Sequence, residues 1–219
     1  MRNLIGNIVL TAVAMISIAA VAAERGRSAS TVKGSGTVQQ KNDFRTLAGD
    51  LSKPMKTTNT QTATLAGGCF WGMEEILRKI PGVLDTRVGY AGGTVANPTY
   101  KQVTTGKTGH AEAIEISFDP DKISYEQVLG YFFRMHDPTT LNRQHNDMGT
   151  QYRSAIFYHN DEQKRIAEQV KERVNKSGKF RSPVVTEIVA GTAFYPAEDY
   201  HQKYLIKNPG GYNCHVLRD

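Results

Sequence analysis

Ala111-Glu112-Ala113-Ile114-Glu115-Ile116-Ser117-Phe118 alternates with period two. Successive side chains of a strand point to opposite faces, so residues 112, 114, 116 and 118 share one face. Three of them are Ile114, Ile116 and Phe118. This is the clearest strand of the chain, and its apolar face calls for a covering layer. Register also puts a carboxylate, Glu112, on that face near its end. Desolvation disfavours the charged form of a carboxyl group. A buried Glu112 would therefore keep its proton near neutrality, as a general acid must. A frayed strand end would leave it solvated and ordinary.

Working outward, strands and helices are interspersed. Thr62–Ala66, Val83–Ala91, Ser154–Tyr158 and Val184–Ala190 read as further strands. Trp71–Lys79 reads as a helix stopped by Pro81-Gly82. Ser124 with Gln127 forms a capping-box pattern ahead of Val128, Leu129, Phe132 and Phe133, so a helix follows. Asn160 can cap another, in which Ile166, Val170 and Val174 recur every four residues and which Gly178 ends. A short helix is expected over Glu198–Leu205. The order favours an α+β two-layer sandwich over a doubly wound parallel sheet. The expected form is a mixed, largely antiparallel sheet with helices, a ferredoxin-like core and an irregular C-terminal tail.

The N-terminal stretch has a different character. Arg2 is the only charged residue before Glu24, Ile8–Ala23 is predominantly apolar, and Ala20-Val21-Ala22 offers a small-x-small cleavage site. Residues 1–23 thus match an export signal, which implies the bacterial periplasm. An uncleaved anchor over residues 4–23 is the alternative. Residues 24–60 are polar and aperiodic and read as a flexible linker, in which Phe44, Leu47 and Leu51 could form one helical turn. The domain is expected over 61–219, with a tail at 206–219.

Composition narrows the chemistry. With 22% charged and 39% hydrophobic residues among 219, a multi-span membrane protein is excluded. The net charge of +6 bears on solubility rather than fold. The only cysteines are Cys69 and Cys214. Two thiols cannot build a disulfide scaffold, a four-cysteine zinc site or an iron–sulfur cluster. They can form one bridge, or one nucleophile with a helper.

Cys69 lies in Gly67-Gly68-Cys69-Phe70-Trp71-Gly72, between a strand and a helix. Unpaired N–H groups and the macrodipole at a helix N-terminus favour an anion, and the thiolate is the nucleophile. A depressed Cys69 pKa is therefore expected, with Phe70 and Trp71 walling a small apolar pocket. Ordinary core packing is the other reading of the same residues. His110-x-Glu112 matches half of the zinc deaminase signature, but Pro-Cys-x-x-Cys is absent. Gly106-Lys107-Thr108 resembles the end of a P-loop, but Lys101 stands where its first glycine belongs. His110 reads as a structural hydrogen-bonding residue; as a base it would suit a cysteine hydrolase.

Gly68-Cys69-Phe70-Trp71-Gly72 resembles the signature of the A-type peptide-methionine sulfoxide reductases. The likeness continues in Gly89–Gly93, Asn97–Tyr100, Thr108–Glu112, His136–Gln144 and Asp147–Ser154, covering roughly 62–215 in the correct order. The resemblance implies an oxidoreductase that reduces methionine S-sulfoxide, free or in oxidised proteins, to methionine and so repairs oxidative damage. It implies Cys69 as the attacking thiolate and Glu112 as the proton donor to the sulfoxide oxygen. It implies Tyr100 and Tyr152 as hydrogen-bonding partners of that oxygen, Asp147 as a positioning carboxylate, and Phe70 and Trp71 around the methyl group. Cys214 would resolve a Cys69 sulfenic acid as a disulfide, to be reopened by a thioredoxin-like protein or other dithiol. A permanent Cys69–Cys214 bridge is the structural alternative. The electrons come from thiols, so no bound cofactor or metal is expected. A monomer without nucleic-acid partners is expected, touching a membrane only if residues 4–23 are retained.

Overall fold

The computed structural model describes residues 59–219. The signal or anchor at 1–23, the helical turn at Phe44–Leu51 and the linker up to residue 58 lie outside the described residues. Eight strands and five helices follow. In order they are β1 (Gln61–Gly67), α1 (Phe70–Leu77), β2 (Val83–Ala91), α2 (Tyr100–Val103), β3 (Ala111–Phe118), α3 (Tyr125–Met135), β4 (Arg143–Gln144), β5 (Asp147–Met148), β6 (Ser154–Tyr158), α4 (Asp161–Lys176), β7 (Glu187–Ala190), β8 (Tyr195–Pro196) and α5 (Tyr204–Lys207). Among the described residues no helix is long and apolar enough to cross a membrane.

Six strands form one sheet in the order β7-β6-β1-β3-β2-β8. All pairings are antiparallel except β6 with β7, which is parallel. The sheet is therefore mixed and largely antiparallel, and the α+β class expected from the sequence is the one observed. β3 sits centrally, with Ile114 opposite Leu65 of β1 and Val88 of β2. Ile114, Ile116 and Phe118 are fully buried, in one cluster with Met73 and Leu77 of α1, Leu129 and Phe132 of α3, and Ala167 and Val170 of α4. Ala111 and Ala113, on the other face, join Ala66, Ala91, Ala155 and Phe157 in a smaller cluster. The period-two reading of β3 thus separates the two faces of the sheet.

The helix starts follow from their caps. Ser124 Oγ accepts from the Gln127 N–H at 3.2 Å, and Gln127 Oε1 accepts from the Ser124 N–H at 2.9 Å. Asn160 Oδ1 accepts from the Gln163 N–H at 2.9 Å. Each satisfies a donor that the first helical turn leaves unpaired.

The two-residue strands β4, β5 and β8 were not expected, and three other elements differ from expectation. β7 begins at Glu187, not Val184. The backbone N–H of Val184 donates to Asn175 Oδ1 and that of Val185 to Pro138 O, so neither is available to the ladder. The helix expected over Glu198–Leu205 is reduced to α5, because Lys203 adopts the left-handed conformation with φ 53°. Its N–H donates to the buried Glu74 Oε2 at 2.7 Å, which holds the chain off the helical path. α2 was not foreseen, although Thr99 and Gln102 form a complete capping box. Its four residues are too few to show a period.

Candidate active site

β1 ends at Gly67, and α1 starts after Cys69, the N-cap residue. β3 runs antiparallel to β1, with Leu65 opposite Ile114, so the start of β3 reaches the same end of the sheet as the N-terminus of α1. The Phe70 N–H donates to Glu112 Oε2 at 3.1 Å. The Cys69 sulfur and the Glu112 carboxyl are thereby brought to one place from residues 43 apart in sequence.

A cavity of about 120 Å³ opens there. Cys69, Phe70, Trp71, Tyr100, Glu112, Asp147 and Tyr152, all singled out in the sequence, line it together with Tyr212. Cys214 is not among the lining residues, but its sulfur lies close to that of Cys69. The Sγ atoms of Cys69 and Cys214 and a carboxylate oxygen of Asp147 all lie within 4.8 Å of one another. Both cysteines are free thiols, so a fixed structural bridge is not the arrangement observed.

Glu112 is 1% exposed. Burial, reinforced by the nearby Cys69 sulfur, pushes its carboxyl well above the usual range against the pull of the Phe70 N–H. The shift runs in the direction that the face argument requires. Burial and the neighbouring Glu112 push the Tyr100 hydroxyl up to about 12. The same two causes raise Tyr152. Both phenols remain hydrogen-bond donors across the physiological range.

Cys69 departs from expectation. The hydrogen bond with the Cys214 side chain, then burial, pushes its thiol up rather than down. The Trp71 backbone N–H does pull the other way, as a helix N-terminus should. It is outweighed because the tail sits against the sulfur. In this dithiol state Cys69 is held protonated.

Phe70 and Trp71 are fixed by a shell that the sequence reading missed. Trp71 stacks on Tyr204, with centroids 3.8 Å apart and planes at 12°. Its Nε1–H donates to His201 Nδ1 at 3.0 Å. Glu198 accepts from the Tyr100 N–H and from the Tyr90 hydroxyl, each at 2.8 Å. Tyr212 donates to Asp147 Oδ2 at 3.2 Å. Only Tyr212 carried a signal, since it lies within the glycine-rich stretch that ends at Cys214. His110 is committed elsewhere: Nδ1 accepts from the Gly93 N–H, and Nε2 bonds Val95 O. Its structural reading holds, and it is not free to serve as a base.

The tail is irregular, as expected, but it is docked. His215 is 3% exposed, and its Nε2 lies 2.8 Å from Gly67 O. Arg218 donates from Nη2 to His136 O and from its backbone to Arg134 O, and its guanidinium lies over Phe180. The motif glycines make room for this. A Cβ on Gly72 would fall 2.6 Å from His215 Nδ1 and 2.7 Å from Asn213 Oδ1. One on Gly68 would fall 2.6 Å from Gln144 Cγ.

Residues 61–219 match the family model described as peptide methionine sulfoxide reductase. The peptide methionine sulfoxide reductase MsrA of Methanothermobacter thermautotrophicus is 54% identical over 158 residues, 72% of this chain and 93% of that protein. MsrA 1 of Mesorhizobium japonicum is 56% identical over 161 residues, 74% of this chain and 91% of that protein. Among solved structures, reduced Mxr1 from Saccharomyces cerevisiae superposes with a TM-score of 0.68 at 41% identity, covering 73% of this chain and 93% of that one. Methionine sulfoxide reductase A of Corynebacterium diphtheriae gives 0.62 at 40% identity, covering 70% and 77%.

Two outcomes follow from the geometry. Alanine normally gains about 1 kcal/mol over glycine inside a helix, but Gly72→Ala should displace His215 and Asn213. Overpacking of this kind costs about 1–3 kcal/mol, so alkylation of Cys214 by iodoacetamide should accelerate about tenfold or more; an unchanged rate would refute the steric role. Glu112→Gln should raise Tm in a pH-dependent way. The folded state holds a carboxyl proton that the unfolded chain releases above about pH 4. Wild-type stability therefore falls, relative to the variant, as pH rises from that value toward the raised folded pKa. The Tm difference should grow from about pH 4 to pH 8, and a constant difference would remove the buried-acid reading.

Proposed function

The chain belongs to the peptide methionine sulfoxide reductase family and is an oxidoreductase, and on that premise we propose a dithiol route for its chemistry. The observation that carries the proposal is that one small cavity is lined by the Cys69 thiol and the buried Glu112 carboxyl, with the free thiol of Cys214 within 4.8 Å of the Cys69 sulfur.

The methyl group of methionine S-sulfoxide, protein-bound or free, sits against Phe70 and Trp71. Tyr100, Tyr152 and the Glu112 carboxyl hydrogen-bond the sulfoxide oxygen, and Asp147, held by Tyr212, orients the group. Cys69 attacks the sulfoxide sulfur while Glu112 protonates the oxygen, and the proton that Cys69 gives up replaces the one Glu112 has donated. Methionine leaves, and Cys69 carries the oxygen as a sulfenic acid. Cys214 condenses with it, which releases water and closes the Cys69–Cys214 disulfide. A thioredoxin-like dithiol then exchanges with that disulfide and restores both thiols. Substrate must enter the space beside Cys69 for the first step, and its entry loosens the hydrogen bond with Cys214 that holds the thiol protonated.

The export reading of residues 1–23 belongs to the same proposal. It rests on one leading charge, an apolar run and a small-x-small site, and it places the repair of oxidised proteins in the periplasm. The N-terminal mass of the mature protein tests it, since retention of residues 4–23 would mean a membrane anchor.

Thiol counting tests the route. Reduced enzyme mixed with methionine sulfoxide should lose two thiols for each methionine formed. Cys69→Ser should form none. Cys214→Ser should form one methionine per chain and stop, and full turnover by that variant with a thioredoxin would overturn the resolving role. Glu112→Gln should slow methionine formation in a single turnover by about 10²–10⁴-fold, the usual worth of a positioned general acid.

A further inference from the structure

His215 is the residue after Cys214, and the chemistry proposed above gives it no task. Its ring is nonetheless fixed at both nitrogens. Nε2 lies 2.8 Å from Gly67 O, and Nδ1 lies 3.0 Å from Cys214 Sγ. A carbonyl oxygen can only accept, so Nε2 carries the hydrogen. In the neutral ring Nδ1 is then an acceptor, and its partner is the Cys214 thiol. The tautomer is set by the backbone of the very turn that presents Cys69. The Asn213 side chain accepts from the His215 N–H at 3.1 Å and steadies the same residue. Gly72 leaves the space the ring occupies.

We propose that His215 is the general base of the resolving step: it takes the Cys214 thiol proton as Cys214 attacks the Cys69 sulfenic acid. The inference rests on the resolving role of Cys214. In this step the Cys214 Sγ–Cys69 Sγ bond forms and the Cys69 S–O bond breaks. The Cys214 proton passes to Nδ1. The departing hydroxide takes up the proton that Nδ1 received and leaves as water, so the ring ends neutral. Cys69 sulfur is reduced and Cys214 sulfur oxidised, so no outside electrons are needed.

The surroundings suit a base. Burial lowers the His215 pKa, so the ring is neutral and able to accept near pH 7. Asp147 opposes that shift, while Arg218 and the buried His136 add to the positive side of the balance. The Gly67 carbonyl also opposes the shift, and Cys214 lies against Nδ1. An unassisted thiol reacts only through its thiolate fraction, and its rate then climbs with pH. A thiol served by an adjacent neutral imidazole escapes that limit.

The test uses the full-length reduced protein, stoichiometric methionine sulfoxide, and quenched-flow sampling of methionine and of the Cys69–Cys214 disulfide. His215→Gln keeps a side-chain N–H for Gly67 O but has no base. The ratio of the disulfide rate to the methionine rate should fall about tenfold to hundredfold in the variant, and dimedone should trap the accumulated sulfenic acid. An unchanged ratio overturns the proposal. Should the variant fail to fold, the wild-type pH profile decides. A disulfide rate level between about pH 6 and pH 8 supports the base, and a tenfold rise per pH unit over that range overturns it. Failure of the underlying reading looks different: wild-type enzyme would release methionine and form no Cys69–Cys214 disulfide at all.

Discussion

The N–H of Phe70 donates to Glu112 Oε2 across 3.1 Å, at the point where α1 leaves the edge of β1. This bond sets the distance between the turn that carries Cys69 and the strand that carries Glu112. It also gives a fully buried carboxyl group its backbone partner. An unpartnered polar group at that depth would cost a few kcal/mol. The pairing of β1 with β3 fixes the register that delivers both groups to one end of the sheet. The tyrosines, Asp147 and the tail are then arranged around this junction. Glu112 pays for its function in stability, because a buried carboxyl must hold its proton against the solvation it would gain on unfolding.

The parts of this arrangement that were legible in the sequence share one property, which is that a repeating or reciprocal local signal carried them. Period two located β3 and put Glu112 on the core face. Reciprocal Ser124–Gln127 bonding located the start of α3, and Asn160 located the start of α4. Elements with one or two turns gave no period to count, so α2 and the β4–β5 hairpin were invisible. Val184 and Val185 looked like strand but gave their N–H groups to Asn175 and Pro138. Local propensity cannot report such a diversion. Lys203 likewise interrupts a helical stretch because a carboxylate 129 residues away accepts its N–H.

At the site, motif resemblance named the residues that line the cavity, but it misjudged their mutual influence. The helix N-terminus was expected to favour the Cys69 anion. The tail was expected only to be irregular, so its effect on Cys69 could not be weighed. Docked through His215 and Arg218, the tail places a second sulfur against the first and reverses the sign of the shift. The same docking gives Gly68 and Gly72 their meaning. Gly72 is an absence of side chain that admits His215 and Asn213, while Gly68 both takes a φ of 100° and leaves room for Gln144. Tyr212, Glu198 and His201 were missed because each acts through a partner far away in sequence.

The size of the cavity has a consequence for whatever the enzyme serves. A cavity of about 120 Å³ suits the end of one side chain. On the proposed chemistry, recognition is then confined to the oxidised group, and sequence around it is read weakly or not at all. A damaged residue in a rigid protein cannot be inserted so deeply unless its own segment first comes loose. Repair of a given client would be governed by how often that client locally unfolds. The enzyme would act fastest on clients that oxidation has already destabilised, which makes the narrowness of its pocket a form of triage.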